Sequence, residues 1–284
     1  MSKIAIVTDS TAYLPKEYLD RYHITTVPQV LIWEDQVYED GVDIQPDEFY
    51  QRLSTAKVLP TTSQVSVINM QKAFTGLLEA GYQVLGLFLS GKLSGTLQSA
   101  IQGRETLSSG KDQVAIMDSN STSMAMGFQV LAVARAAAEG ASLNECQALA
   151  KKARDCTGIY FVVDTLEFLH RGGRIGGAQR LLGTALNLKP ILAVQDGKVE
   201  AMERIRTKAK AIDRLIEIIA EQTVGKTPVR LASLHANAPD EARDILERAT
   251  QLINPLESIF TSLSPVVGSH TGPGTLGLAY MTGM

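Results

Sequence analysis

The sequence predicts an α/β protein: an N-terminal, mostly parallel sheet with helices on both faces, and a second α/β domain containing antiparallel strands. Three observations carry this. In the first half, short apolar runs at 4–7, 83–89 and 114–117 each lead into a polar turn and then a helix-periodic stretch, the alternation that builds parallel sheets. In the second half, 191–194 and 199–204 flank Asp196-Gly197, a strong hairpin signal, so antiparallel pairing enters. The pattern changes around 154–158, which places the domains at 1–156 and 157–284.

At 284 residues the chain is long enough to bury two cores without disulfide help. Its 27 basic residues are balanced by 30 acidic ones and form no block, which argues against nucleic-acid binding. No apolar run approaches a membrane span, so stable membrane insertion is not expected and a cytoplasmic location is. Cys146 and Cys156 lie in helix-like surroundings without Cys-x-x-Cys spacing or a His/Cys cluster, so reduced thiols are expected, with neither a metal nor a cofactor.

In chain order, strand 4–7 ends in Thr8-Asp9-Ser10-Thr11, and a helix starts at Pro15, where proline suits a first turn. The β-branched run 24–33 is broken by Pro28, which a central strand tolerates badly, so it belongs at a sheet edge or bend. Glu34-Asp35-Gln36 turns into 37–39, and 47–53 reads as a helix. The hydroxyl-rich loop 60–66 leads into a helix over 67–78, strand 83–89 into a helix ending near 107, and strand 114–117 through Asp118-Ser119-Asn120-Ser121-Thr122 into a helix over 126–138. Beyond the boundary come strand 158–163, a short helix from 166 that stops at Arg171-Gly172-Gly173-Arg174, a small and aliphatic stretch 176–186, and the hairpin. Helix 207–221, strand 229–234, helix 239–252 and strand 259–262 follow, and a glycine-rich loop at 265–275 closes the pattern.

The turn 90–96 is an anion site in outline. Ser94 is placed to cap the following helix, Gly95 lets a ligand approach the backbone, and Thr96 adds a hydroxyl where the helix dipole is positive. Four such polar turns, at 8–11, 61–66, 90–96 and 118–122, fall before helix starts, and in a doubly wound sheet they share one edge. Each taken alone also reads as a simple cap. His270 beside Thr271 can reach a carboxylate, although a loop histidine is often only a surface group. Arg171 and Arg174, and Arg204 and Arg206 after the hairpin, suit carboxylate or phosphate as well as helix ends or solubility. Neither G-x-x-x-x-G-K-[ST] nor G-x-G-x-x-G is present, so the chain is not expected to bind ATP itself. A Ser94, His270 and Asp118 or Asp9 triad lacks the glycine offsets of a nucleophile elbow.

Read in order, Thr8-Asp9-Ser10-Thr11, Thr62-Ser63-Gln64, Leu93-Ser94-Gly95-Thr96 with Gln98-Ser99-Ala100, Asp118-Ser119, Leu166-Glu167-Phe168-Leu169 with Arg171-Gly172-Gly173-Arg174-Ile175, and His270-Thr271-Gly272-Pro273-Gly274 resemble the DegV family, the fatty-acid-binding subunits of bacterial fatty acid kinase. The resemblance spans the whole chain. It implies two α/β domains with a long-chain fatty acid held between them, and a separate kinase catalytic subunit that converts the bound acid to acyl phosphate. Carried over by motif, Thr62, Ser94, His270 and Thr271 would bind the carboxylate, while Ser63, Gly95, Thr96, Asp118, Ser119, Arg171 and Arg206 would lie near the head group or the partner-facing surface. Val65 stands where the family usually has proline, and Gly91 where it has a second serine, which bears on selectivity more than on binding. Hydroxyls and helix N–H groups would hold the carboxylate without a fixed counter-charge, and the aliphatic runs 181–192 and 276–281 are candidate walls that core packing explains equally well. The competing readings are an esterase or small-hydroxyketone kinase-like enzyme using Ser94 and His270, and a pure interaction module.

Overall fold

In the computed structural model, which describes residues 3–182 and 188–284, the first half of the chain forms β1 (Ile4–Asp9), α1 (Lys16–Tyr22), β2 (Thr25–Val27), β3 (Val30–Trp33), β4 (Gln36–Glu39), α2 (Pro46–Leu53), β5 (Thr61–Ser63), α3 (Val67–Glu79), β6 (Gln83–Phe88), α4 (Thr96–Glu105), β7 (Val114–Asp118), α5 (Ser123–Ala138) and α6 (Leu143–Asp155). Four of these strands pair in the order β2-β1-β6-β7, every pair parallel. Both faces are covered, as the near-continuous apolar strands demand. Val84 and Phe88 pack with Met70 and Phe74 of α3 and Ala100 of α4, whereas Leu85 and Leu87 belong with α5 and α6. The run 24–33 divides at Pro28: β2 stays on the parallel edge, and β3 leaves to pair antiparallel with β4 and β5 in a small sheet of its own.

The second half forms β8 (Thr157–Val162), α7 (Glu167–Arg171), β9 (Lys189–Gln195), β10 (Lys198–Ile205), α8 (Lys208–Thr223), β11 (Val229–His235), α9 (Pro239–Ile253), β12 (Glu257–Ser262), α10 (Pro265–Thr271) and β13 (Leu276–Thr282). Six strands pair as β10-β9-β8-β13-β11-β12, all antiparallel except β11 with β12. The hairpin turns at Asp196-Gly197, both with positive φ. α8 and α9 cover the outer face of this sheet, while α5 lies between the two large sheets, touching β1, β6, β8 and β13. That position explains a sequence apolar on nearly every side, with Met124, Phe128, Val130, Leu131 and Val133 all buried. One core therefore runs through both halves, from Leu85 through Phe128 to Leu234 and Ala279.

Three elements differ from the sequence reading. α6 was not anticipated, although Ser142 and Glu145 form its capping box. The run 276–281, read as either a wall or core packing, is the buried central strand β13 and does not line the cavity described below. Residues 265–271, expected within a loop, form α10, because Ser264 caps the helix and Pro265 fits its first turn. Gly176–Leu181 forms a short 3-10 turn, and the rest of the 176–186 stretch, with part of the proposed 181–192 wall, lies outside the described residues.

Candidate functional site

A cavity of about 210 Å³ opens where the carboxyl-end turns of the parallel sheet face the second sheet. Its walls are apolar: Ile159 and Phe161 from β8, Val194 from β9, Val199 from β10, Leu234 from β11, and Val266 and Val267 from α10. The more accessible end carries Thr62, Ser94, Gly95, Arg174 and His270, half-buried, and Ser63 and Gln64, exposed; other polar lining residues, Thr11, Gln29, Ser123, Thr271 and Thr275, are buried.

The shortest link across this end joins residues 208 apart in sequence: Thr62 Oγ1 and His270 Nε2 are hydrogen-bonded at 2.8 Å. Burial, aided by the charge of Arg174, lowers the His270 pKa to about 4, so the imidazole is neutral near pH 7. Nδ1 of His270 and Oγ1 of Thr271 are buried without a hydrogen-bond partner among the described residues. The ring sits so close to α7 that a Cβ on Gly172 would lie 2.1 Å from Nδ1.

Ser94 does not cap α4 as expected. Gly95 is the N-cap residue, and Ser94 Oγ instead accepts from Thr96 N at 3.2 Å and shares a 3.0 Å hydrogen bond with Thr96 Oγ1. Thr96 is not in the cavity lining but is fully buried behind Ser94, where Oγ1 donates to Gln29 Oε1 at 3.0 Å and accepts from Val65 N at 3.3 Å. The Val65 bond is one that proline could not make. Gly95 is needed for side-chain rather than ligand approach: a Cβ there would sit 2.0 Å from Gln64 Oε1.

The remaining expected residues lie elsewhere. Asp118 serves its own turn and the neighbouring one, accepting from Asn120 N at 2.7 Å and Gly91 N at 3.2 Å, and Ser119 Oγ donates to Ser121 O. Neither lines the cavity. Arg171 is exposed and paired with Glu167 at 2.6 Å, and Arg206 is exposed beyond β10. The guanidinium that reaches the cavity belongs to Arg174, held by Leu93 O at 3.0 Å and Gly172 O at 2.7 Å. It is the one charged side chain in the lining among the described residues, so the head-group end does carry a fixed positive charge, contrary to expectation. Sequence reasoning also missed Gln29, Thr122 and Ser123. Thr122 stood in a turn already marked as polar; Gln29 follows Pro28 with no signal of its own. Asp9 is structural: it accepts from Thr11 N and Oγ1 and from Leu89 N, tying the β1 turn to the end of β6, and burial raises its pKa.

Among the described residues no carboxylate orients His270, and Ser94 is engaged with Thr96. No helix there is long and apolar enough to cross a membrane, and no group of three His, Cys, Asp or Glu could hold a metal.

Fold and cavity together define a two-domain α/β protein with an apolar interior pocket whose accessible end suits an anion. Residues 3–283 match the family described as "Uncharacterised protein, DegV family". A DegV domain-containing protein of Streptomyces coelicolor is 39% identical over 97% of each chain. The chain belongs to the DegV family. Among solved structures, a Thermus thermophilus DegV family protein described for its fatty acid binding superposes with a TM-score of 0.92 at 35% identity, covering 99% of each chain. DegV of Bacillus subtilis, described as a fatty acid binding protein, gives 0.89 at 31% identity over 99% of this chain and 100% of that one.

Proposed function

We propose that this protein binds a long-chain fatty acid and presents its carboxylate to a separate kinase subunit for acyl phosphate formation, in the cytoplasm. The observation that carries the first part is the cavity's set of apolar wall residues beside a cationic, hydroxyl-rich end, without any acid among the described lining residues. Each methylene buried there contributes about 0.8 kcal/mol. The carboxylate is offered Thr62, Ser94, Thr271, neutral His270, the Arg174 charge and the amino end of α4, which together offset its desolvation. Fatty acid binding by the Thermus and Bacillus relatives supports the same reading. The kinase part rests on the family resemblance and the absence of a nucleotide loop in the sequence, with exposed Arg171 and Arg206 assigned to the partner-facing surface and the domains divided at 156/157.

Organic extraction of freshly purified protein followed by mass spectrometry is expected to yield a long-chain acid. Finding none, with no saturable uptake of palmitate or oleate, overturns the binding reading. For the second part, Mg-ATP is expected not to bind the isolated chain in calorimetry, while addition of a kinase subunit yields acyl phosphate. Micromolar ATP binding by this chain alone contradicts the division of labour.

A further inference from the structure

The direction in which Ser94 holds its proton is decided behind the cavity wall. Thr96 Oγ1, fully buried, has three partners: Gln29 Oε1 at 3.0 Å, Val65 N at 3.3 Å and Ser94 Oγ at 3.0 Å. A hydroxyl has one proton and two lone pairs, so this complement is full. The amide oxygen of Gln29 only accepts, and the backbone amide of Val65 only donates. The Thr96 proton therefore goes to Gln29, and in the Ser94 contact Ser94 is the donor. Because Ser94 Oγ also accepts from Thr96 N at 3.2 Å, both of its bonds within the protein close on Thr96.

Gln29 is fixed in this orientation. It follows Pro28 in the segment between β2 and β3, buried, with its N–H donated to Ser10 Oγ at 3.1 Å and its carbonyl accepting from Asp40 N at 2.9 Å. Nε2 closes no hydrogen bond of ordinary geometry among the described residues, yet the amide works against the burial-driven rise of the Asp9 pKa, as a donor beside a carboxylate does. Turning the amide over would bring its oxygen towards Asp9, which already accepts from Thr11 N, Thr11 Oγ1 and Leu89 N. A ligand carboxylate at Ser94 must then take a proton that Thr96 already holds, so one hydrogen bond is exchanged for another. Without an acceptor at residue 29, Thr96 would turn its proton to Ser94 Oγ, and the Ser94 proton would be free for the ligand.

We infer that Gln29 is a positioning residue that acts through Thr96 on Ser94, making the Ser94 proton contested and loosening the protein's hold on the fatty acid carboxylate. This rests on the fatty acid reading and adds a residue to its head-group site. The test is calorimetric titration of the full-length protein with oleate. Gln29→Met keeps the length of the side chain and removes the amide acceptor, and it is expected to bind oleate roughly fivefold tighter, the scale of one neutral hydrogen bond. In a Ser94→Ala background the same substitution should change oleate affinity by less than twofold, because the hydroxyl it acts on is gone. A residue that only supports the fold would weaken binding, or act alike in both backgrounds. Gln29→Leu repeats the comparison should the methionine variant fold poorly. A neutron structure of the unaltered, unliganded protein reads the arrangement with no variant at all: deuterium on Thr96 Oγ1 is expected to point at Gln29, and that on Ser94 Oγ at Thr96. If oleate binds but Gln29→Met binds it no more tightly, if the gain persists beside Ser94→Ala, or if the deuterium on Thr96 points at Ser94, this inference fails and the fatty acid reading stands. If the unaltered protein binds neither oleate nor palmitate, both fail.

Discussion

Replacing Thr62 by valine keeps the shape of the side chain and removes the one hydroxyl that bonds His270, so its consequences follow from the 2.8 Å contact. In the unliganded protein the imidazole loses its Nε2 partner while Nδ1 already has none among the described residues, at a cost of about 1–3 kcal/mol, near the lower end because Thr62 is half-buried. In the complex, a hydrogen bond to a charged group contributes roughly 1.5–3 kcal/mol. Since 1.4 kcal/mol is tenfold, oleate affinity is expected to fall about ten- to a hundredfold. Ser94→Ala should act on the same scale, and the double variant should lose less than the sum, because both hydroxyls serve one carboxylate. Calorimetric titration with oleate and with methyl oleate reads this directly, the ester being expected to bind with nearly unchanged affinity. Equal losses for acid and ester would mean that the pocket had deformed, and the head-group assignment would fall. Unaltered oleate affinity with lost turnover of an ester substrate would make Ser94 a nucleophile and replace the carrier reading by the enzyme one.

Gly172→Ala leaves an ordinary φ of −75° but drives a methyl into His270, and is expected to weaken oleate binding as much as His270→Ala while shifting the melting temperature less than a core cavity would. The pH dependence of stability includes two opposing contributions from the site and its surroundings. His270, lowered to about 4 from 6.5, favours the folded state above its unfolded value, and that stability is lost as pH falls from about 6.5 to 4. Asp40, buried beside Ser10 and raised from 3.8 to about 7, favours folding at low pH, and that contribution is lost as pH rises through about 7. Urea titrations of unliganded protein across this range should therefore show stability rising more steeply with pH in Asp40→Asn than in the unaltered protein, and falling more steeply with pH in His270→Asn; the opposite pair of slopes refutes the assignment. Glu257 is flanked by Arg135 at 2.7 Å and Arg230 at 3.1 Å and accepts from Tyr18 at 2.9 Å, joining α1, α5 and β11. Glu257→Ala leaves two partly buried guanidinium groups facing each other and is expected to cost about 3–5 kcal/mol in denaturant unfolding. A loss under 1 kcal/mol would show the cluster to be solvated.

What the amino-acid sequence determined by itself was local. Alternating strands, polar turns and helix-periodic stretches named the parallel sheet, and Asp196-Gly197 named the hairpin, because turn chemistry and hydrophobic period act over a few residues. The hydroxyl turns were visible for the same reason, and Thr62, Ser94, His270 and Thr271 all line the cavity. Tertiary structure decided what depends on distant partners. The run 24–33 carries no mark that its halves join different sheets, since the choice is made by β1 and β5. β13 becomes central because β8, paired with β9 on one side, and β11, paired with β12 on one side, each have a second edge that the last strand fills. At the site, Arg171 and Arg174 are equivalent in sequence, and three residues of difference around α7 send one to solvent with Glu167 and the other to the carbonyls of Leu93 and Gly172. Likewise, whether a polar turn caps its own helix or faces a ligand is set by which side chain is buried against what. Ser94 was expected to cap and leans on Thr96, and the Thr122 side chain does not cap its helix, because burial and partner geometry are properties of the folded whole.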